Sequence, residues 1–203
     1  MREIFTAIRI TFVLWLITAI IYPLFTIIIG QIAVPFQANG SLLKNANGQI
    51  IGSALIGQTF YSTQYFWSRP STTNYSSFTS QEFNPQNSNN TAQRTGTSGA
   101  SNLAPSNSDL IKRIQNEATR LTKAGIKPTA DLVYTSGSSL DPHITIDAAR
   151  AQIARVAEAR SLPPNQVEIL VKKYTDKRFM SIFGEPGINV LKLNLALDNL
   201  PQK

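Results

Sequence analysis

The sequence predicts an α+β protein, in which a single N-terminal transmembrane helix precedes a mixed α/β extracytoplasmic domain with a small sheet and about three helices. Three observations support this prediction. An uncharged apolar run opens the chain, three amphipathic helical patterns lie in its second half, and short alternating segments indicate strands. The mean hydropathy of -0.08 conceals this division, because it averages an apolar head with a polar remainder.

The apolar run has the length of a membrane span. No charged residue lies between Arg9 and Lys44, and residues 10–32 are mostly Ile, Leu, Val, Phe and Ala. As a helix this run is about 35 Å long, enough to cross a bilayer core of about 30 Å. Pro23 removes one backbone donor, so a mild kink is expected. A cleaved secretory signal is the alternative, but its apolar core would be shorter, about 7–15 residues, and would end in a better cleavage site.

Basic residues beside the span predict its orientation. Arg2 and Arg9 precede it, whereas Lys44 is the first basic residue that follows. Because basic residues favour the cytoplasmic side, residues 1–9 are predicted to be a short cytoplasmic N-terminus, 10–32 the transmembrane helix and 33–203 a periplasmic domain. The predicted location is the bacterial inner (plasma) membrane, crossed once.

One face of the span carries hydroxyl and aromatic side chains, namely Thr11, Trp15, Thr18, Tyr22 and Thr26. In a continuous α-helix they form a stripe less than about 90° wide. Two interpretations stay open. Each Thr hydroxyl can bond to the preceding turn of its own helix, or the stripe can contact a partner helix in the membrane.

Four segments of the outer domain predict strands. Asn-Gly between two apolar runs predicts a hairpin over 42–51. Residues 53–56, between two glycines, predict a short strand, as do residues 131–134. The alternation of Leu with other residues over 191–197 predicts a half-buried C-terminal strand.

Residues 68–108 form a polar segment dominated by Ser, Thr, Asn and Gln. Such a composition buries too little apolar area to offset the entropy of ordering, so a long loop is predicted. Its small residues Ser98, Gly99, Ser101 and Asn102 are candidate cofactor-binding positions, because loops of this kind can hold phosphate with backbone N–H groups. The Lys of a true P-loop is missing, and a plain flexible turn is the alternative.

Three helices are predicted after the loop. The first spans about 108–123 and ends at Gly125, a C-cap. The second spans about 146–160 and ends before a Pro-Pro pair. The third has Asn165 as N-cap and Glu168 three residues later, which is the arrangement of a capping box.

Catalytic and metal chemistry find little support in the sequence. The chain has no Cys and one His, which excludes disulfides, thiolate nucleophiles and Cys-ligated metals, and no metal site is predicted. Ser138 and His143 lie close enough in sequence to suggest a membrane-anchored periplasmic hydrolase, but no nucleophile elbow surrounds the Ser. The net charge of +7 is spread along the chain, so nucleic-acid binding is not expected.

Seven phrases, in this order, closely resemble the C subunit of the bacterial Kdp potassium-transporting P-type ATPase (the KdpC family). They are QANGS at 37–41, GSALIGQ at 52–58, YFWSRPS at 65–71, SGASNL at 98–103, LVYTSGSSLDPHI at 132–144, RVAEAR at 155–160 and NVLKLNLALD at 189–198. The resemblance covers nearly the whole chain. Ala100 and Ser139 depart from it, because the family usually has glycine there.

The resemblance implies a non-catalytic accessory subunit of a high-affinity, ATP-driven potassium uptake pump. It implies three partners: a channel-like potassium-translocating subunit, a P-type ATP-hydrolysing subunit and a small accessory peptide. No intrinsic cofactor is implied, since the whole complex handles ATP and potassium. The positions that match the family motifs are Gln58, Arg69, Asp141, His143, Asn189 and Asp198.

Two roles follow from this resemblance. The family is described as a catalytic chaperone that assists ATP binding by the ATPase subunit, and also as a cover over the potassium entrance. The predicted periplasmic placement favours the second role, because a periplasmic domain cannot touch cytoplasmic ATP. An effect on ATP would then be a coupling between distant sites.

Overall fold

The computed structural model describes residues 1–77 and 97–200, and the chain divides into two compact units, Met1–Leu42 and Leu43–Lys203. The polar loop predicted at 68–108 falls partly on residues 78–96, outside the described part. An α+β architecture is confirmed, with a long apolar helix in the first unit and small sheets and helices in the second.

The first unit is dominated by one helix from Arg2 to Ala33, which has the length and apolar composition of a membrane span. It consists of α1 (Arg2–Leu16), a π-helical turn (Ile17–Ile21) and α2 (Tyr22–Ala33). Pro23 has no N–H to donate to the preceding turn, and the wider π-turn lies just before it. A short helix, α3 (Pro35–Ala38), follows.

The second unit opens with the predicted hairpin. Strands β1 (Leu42–Lys44) and β2 (Ile50–Ser53) are joined by a turn in which Gly48 has a φ of 77°. The side-chain oxygen of Asn45 accepts the backbone N–H groups of Asn47 and Gln49 at 3.0 and 2.9 Å. The strand predicted at 53–56 is wrong beyond Ser53, where the chain turns instead.

A three-stranded antiparallel sheet lies further along the chain. Its strands are β3 (His143–Ile144), β4 (Thr175–Asp176) and β5 (Gly187–Asn189), in the order β3-β5-β4. In this sheet His143 pairs with Asn189, and Asp176 pairs with Gly187. The central strand β5 therefore connects residues that are far apart in sequence.

The first predicted helix is confirmed as α4 (Ser108–Lys123), with the Asn107 side chain accepting the N–H of Asp109 at 2.8 Å. The second occupies the predicted region but is divided into α6 (Ile146–Arg150) and α7 (Ile153–Ala159). The Thr145 hydroxyl caps α6 by accepting the N–H of Ala148 at 3.1 Å. Gly125 has a φ of 70°, as its predicted role requires.

The third predicted helix begins earlier than expected. It is α8 (Pro164–Lys173), and its N-cap is Pro163, so the predicted capping box at Asn165 is wrong. Pro164 takes the first helical position, where a missing N–H costs nothing. Glu168 instead forms an exposed ion pair with Lys172 at 2.9 Å, and this pairing lowers the pKa of Glu168.

Two predicted strands are helices. Residues 131–134 mostly lie in α5 (Ala130–Val133), and residues 191–197 lie in α9 (Val190–Asp198). The Leu residues of α9 alternate, but Asn194 and Ala196 between them are also buried. A helix enclosed on several sides has no single apolar stripe, so its sequence period misleads. Together with α7, α8 and β5, α9 encloses the core, which includes Leu121, Val156, Val167, Ile188 and Leu193.

Candidate functional site

Residues 65–69 lie outside the helices and strands that the structure describes, and part of this segment enters the core. Phe66 is fully buried; its N–H donates to the Asn194 side-chain oxygen at 2.8 Å, and its carbonyl accepts the Asn194 amide at 3.0 Å. Trp67 makes the same pair of bonds with Gln152, at 2.7 and 3.2 Å. Two side-chain amides thus replace a β-ladder for this buried backbone.

Two guanidinium groups lie over the Trp67 ring. Arg120 and Arg155 approach its centroid to 4.4 and 4.3 Å, within the range of cation–π attraction. Arg155 also donates to the carbonyl of Tyr65 at 2.9 Å and to the side-chain oxygen of Gln152 at 2.8 Å. Burial, and then the charge of Arg120, lower the pKa of Arg155 to about 10.

The predicted motif residue Asp198, at the end of α9, joins this helix to the same segment. Its carboxylate accepts Arg160 Nη2 at 2.7 Å and the Tyr65 hydroxyl at 3.1 Å. Arg160 Nε also donates to the Gln64 carbonyl at 2.7 Å. Burial, followed by the charge of Asp198, raises the pKa of Tyr65.

Three predicted motif residues, Arg69, Asp141 and His143, lie together in one polar cluster. Arg69 Nη1 is 2.9 Å from Asp141 Oδ2, and the backbone N–H of His143 donates to Asp141 Oδ1 at 3.0 Å. His143 Nε2 lies 3.7 Å from the carboxylate of Asp176. Burial alone would raise the pKa of Asp141, but the hydrogen bonds from His143 and the charge of Arg69 outweigh it and lower the pKa.

The two remaining motif residues, Gln58 and Asn189, attach the segment after β2. Gln58 Nε2 donates to the Ile51 carbonyl at 2.7 Å, and Asn189 Nδ2 donates to the Ala54 carbonyl at 2.8 Å. The side-chain oxygen of Asn189 caps α9 by accepting the N–H of Lys192 at 3.1 Å. Both residues therefore join parts of the domain that are distant in sequence.

The candidate phosphate loop rests on the protein itself. The Gly99 N–H and the Ser98 hydroxyl both donate to the carbonyl of Ser138, at 3.0 and 3.1 Å. Ser101 is partly exposed, and Asn102 is exposed with a φ of 52°. Phosphate binding stays a prediction. To bind phosphate, the Ser98 hydroxyl and the Gly99 N–H would have to break their hydrogen bonds to the Ser138 carbonyl.

The Ser138 and His143 side chains have separate partners. Ser138 Oγ accepts the N–H of Leu140 at 3.1 Å and lies 3.5 Å from the Ser136 hydroxyl. His143 faces Asp141 and Asp176. Within residues 1–77 and 97–200 no hydrogen bond joins Ser138 to His143, and no group of three His, Asp or Glu side chains has metal-binding geometry.

In the apolar helix, two hydroxyls of the predicted partner face bond to their own chain. Thr18 donates to the Leu14 carbonyl at 2.8 Å, and Thr26 donates to the Pro23 carbonyl at 2.9 Å. The π-turn holds one residue more than an α-turn, so Tyr22 and Thr26 are rotated by up to about 100° relative to Thr11 and Trp15. Contact of this wider face with a partner helix stays a prediction.

Comparison with known proteins decides the family. The family model described as "K+-transporting ATPase, c chain" (KdpC) matches residues 4–199. The chain belongs to the KdpC family. It is 61% identical over 200 residues to KdpC subunit 1 of Nostoc sp., covering 98% of this chain and 96% of that protein. Identity is 63% over 209 residues to the subunit of Microcystis aeruginosa, covering 97% and 95%, and 42% over 205 residues to that of Paraburkholderia phytofirmans, covering 98% of each.

The residues that hold the segment at 65–69 in this KdpC chain were not predicted from the sequence. Gln152 gave a signal, because it lies on the apolar face of the second predicted helix, where a polar side chain indicates a buried hydrogen bond. Asn194 was not predicted, because residues 191–197 were expected to form a half-buried strand. Ser139 has a φ of 57°, which explains why glycine is expected there, and its hydroxyl accepts the N–H of Thr72 at 3.1 Å.

Proposed function

We propose that this KdpC-family chain is a non-catalytic accessory subunit of an ATP-driven potassium uptake pump, anchored in the inner membrane with its domain in the periplasm. The observation that carries the proposal is the family match over residues 4–199, which includes both the apolar helix and the domain. The partners are the channel-like subunit, the ATP-hydrolysing subunit and the small accessory peptide of the same pump.

The role that we assign to the domain is to stabilise the pump and to shape potassium entry from outside. Its buried polar side chains support this role, because Arg155, Gln152 and Asn194 are all bonded to the backbone or to one another. Such bonds suit a rigid platform. An influence on ATP binding would reach the other side of the membrane as a coupling free energy of roughly 1–3 kcal/mol.

The orientation is tested by labelling single cysteines, since the chain has none of its own. We place one at Glu3, which leaves Arg2 and Arg9 in place, and one at Gln115, an exposed residue of α4, and treat cells whose outer membrane is permeable with an impermeant maleimide. The expected result is labelling at 115 alone, with labelling at 3 only after lysis. Labelling at 3 in intact cells would reverse the proposed topology.

The accessory role is tested in a strain that lacks the chain and grows at limiting potassium. The wild-type chain should restore growth and potassium uptake, and a His143→Ala variant that assembles should do so as well. Normal growth of the strain without the chain would contradict a role in uptake. Loss of uptake by a fully assembled His143→Ala pump would favour the hydrolase alternative.

A further inference from the structure

The π-helical turn in the long apolar helix leaves one backbone carbonyl without its backbone donor. In this turn hydrogen bonds join an N–H to the carbonyl five residues earlier, and the N–H of Tyr22 accordingly donates to the carbonyl of Ile17. The next carbonyl, that of Thr18, would accept from residue 23 in the same pattern. Residue 23 is Pro23, which has no N–H. The Thr18 carbonyl therefore needs a donor from elsewhere.

The nearby hydroxyl groups of the same helix are engaged with other carbonyls. The hydroxyl of Thr18 itself donates to the carbonyl of Leu14 at 2.8 Å, and that of Thr26 donates to the carbonyl of Pro23 at 2.9 Å. Among the hydrogen bonds of residues 1–77 and 97–200, none from the Tyr22 hydroxyl reaches the Thr18 carbonyl. The usual replacement of a lost backbone donor by a neighbouring Ser or Thr is therefore not made here.

The depth of this carbonyl in the bilayer follows from the membrane anchorage stated above as the proposed function. At 1.5 Å per residue, Thr18 lies about 12 Å along the helix from Ile10 and about 21 Å from Ile32, the ends of the predicted span. That position is inside a hydrocarbon core of about 30 Å. Acyl chains offer no hydrogen-bond donor, and the headgroups with their water lie too far away. A backbone carbonyl without a partner is strongly disfavoured there.

The helix surface beside the Thr18 carbonyl allows a second helix to come close. All residues of the π-turn are exposed. Thr18 and the next residue, Ala19, have small side chains, whereas isoleucines make up the rest of the turn. Small side chains let two helix backbones approach closely in a membrane. A side-chain donor on a neighbouring helix can therefore reach this carbonyl.

We propose that the Thr18 carbonyl accepts a hydrogen bond from a hydroxyl, amide or indole side chain of a neighbouring transmembrane helix in the same pump. This inference rests on the proposed function, because it needs the helices of the other subunits. It goes beyond the predicted partner face, since it assigns the contact to one backbone atom and requires a donor on the partner. Such a bond fixes the register of the two helices.

Photocrosslinking in the assembled pump identifies the partner. The full chain carries the substitution Tyr22→p-benzoylphenylalanine, because a long side chain at this position leans back over the preceding turn, which contains Thr18. The expected result is a crosslink to one helix of another subunit, within one turn of a Ser, Thr, Asn, Gln, Tyr or Trp. The same photoreactive residue at Leu24, about 200° further round the helix, is the control and should not label that position.

A pair of substitutions then tests the hydrogen bond itself. Pro23→Ala supplies the missing N–H to the Thr18 carbonyl, so the partner's donor loses its acceptor. The association of the chain with the pump, measured by co-purification in detergent, should weaken about three- to tenfold. Pro35→Ala is the matched control, because Pro35 is the first residue of α3, where a missing N–H costs nothing. In a pump whose crosslinked donor has been replaced by an apolar residue, Pro23→Ala should have no further effect.

The remaining outcomes distinguish this inference from the proposed function. Crosslinks to lipid alone, or to a turn that carries no donor, overturn the hydrogen bond, and co-purification of the chain with the pump then leaves the accessory role intact. Independent, additive effects of Pro23→Ala and of removing the donor overturn it as well. A chain that neither co-purifies with the pump nor restores growth at limiting potassium overturns both proposals together.

Discussion

The side-chain amide of Gln152 makes both hydrogen bonds to the backbone of Trp67 that a neighbouring β-strand would make. Its oxygen accepts the Trp67 N–H at 2.7 Å, and its nitrogen donates to the Trp67 carbonyl at 3.2 Å. Gln152 is fully buried, and its oxygen also accepts from Arg155 at 2.8 Å. The position of Trp67 therefore depends on one side chain 85 residues away.

Replacing Gln152 with Met should destabilise the domain by about 2–4 kcal/mol. Met has a similar length but leaves the Trp67 N–H and carbonyl without partners, and each unsatisfied buried group costs about 1–3 kcal/mol. The measurement is urea unfolding of the full chain in detergent, followed by Trp67 fluorescence in a Trp15→Phe background. The substitution should lower the urea concentration at the midpoint of unfolding, with a smaller change in the slope of the unfolding free energy against urea concentration.

Gln115→Met is the matched control for this substitution, because Gln115 is an exposed residue in the middle of α4. Its effect should stay within about 0.5 kcal/mol, as for most surface changes. Equal stabilities of the two variants would show that the amide of Gln152 does not hold Trp67. Asn194→Leu, which removes the same pair of bonds from Phe66, should resemble Gln152→Met.

Gly57→Ala should destabilise the domain by about 1–3 kcal/mol, the usual cost of overpacking. A Cβ at Gly57 would lie 2.3 Å from the ring of the buried Tyr75 and 3.0 Å from the backbone carbonyl of Asp141. Gly99→Ala is the matched control, since nothing lies within 4 Å of its added Cβ. Thermal unfolding of both variants decides the matter, and equal melting temperatures would contradict the close contact.

The sequence predicted the elements whose signals are local. The apolar helix, the Asn-Gly hairpin, and α4 with its end at Gly125 depend on composition and on a few neighbouring residues. The order of strands β3, β5 and β4 depends on contacts between residues far apart, such as His143 with Asn189. Strands β3, β4 and β5 have only two or three residues and no Asn-Gly turn beside them, so they have too little pattern to be recognised.

The strand wrongly predicted over 191–197 has the same physical origin, because the burial of this segment depends on contacts with residues far away in the sequence. The Leu alternation over 191–197 predicted a strand, but α9 is buried on several sides, and its helical start is fixed by the Asn189 cap. The motif residues Arg69 and Asp141 were singled out by resemblance, and His143 also by its short distance in sequence from Ser138. Their contact with one another required the fold, because Arg69 and Asp141 are 72 residues apart.

Replacing Ser98 with Ala tests the predicted phosphate loop. Its hydroxyl donates to the Ser138 carbonyl at 3.1 Å, so the change should cost about 1 kcal/mol or less, since the site is exposed. On the proposed periplasmic placement, the apparent ATP affinity of the assembled pump should be unchanged, because the loop would not meet nucleotide. ATPase activity as a function of ATP concentration provides the measurement. A several-fold weaker apparent affinity with intact assembly would instead favour direct contact with ATP.

The final prediction concerns acid stability at Asp141. Burial raises the pKa of this carboxyl in the folded state. The hydrogen bonds from His143 and the charge of Arg69 lower it by more, so the folded pKa is below its usual value. Its contribution to stability is therefore complete above the unfolded pKa of about 3.9, and is lost as the pH falls through the lower folded pKa. Asp141→Asn removes that contribution and leaves Arg69, whose side chain is 24% exposed, without its anion.

At pH 6 the Asp141→Asn variant should be less stable than the wild type by about 1–3 kcal/mol, the cost of an unpaired, partly buried group. The difference between the two proteins should shrink as the pH falls below the unfolded pKa of about 3.9 and through the lower folded pKa, because the wild-type carboxyl becomes protonated as well. Urea unfolding of the full chain at pH 6 and at a series of lower pH values measures this. Glu185→Gln, which breaks the more exposed ion pair with Arg178, is the control and should cost less than about 1 kcal/mol at pH 6. A difference between wild type and Asp141→Asn that does not change with pH would show that the carboxylate charge is not what holds Arg69.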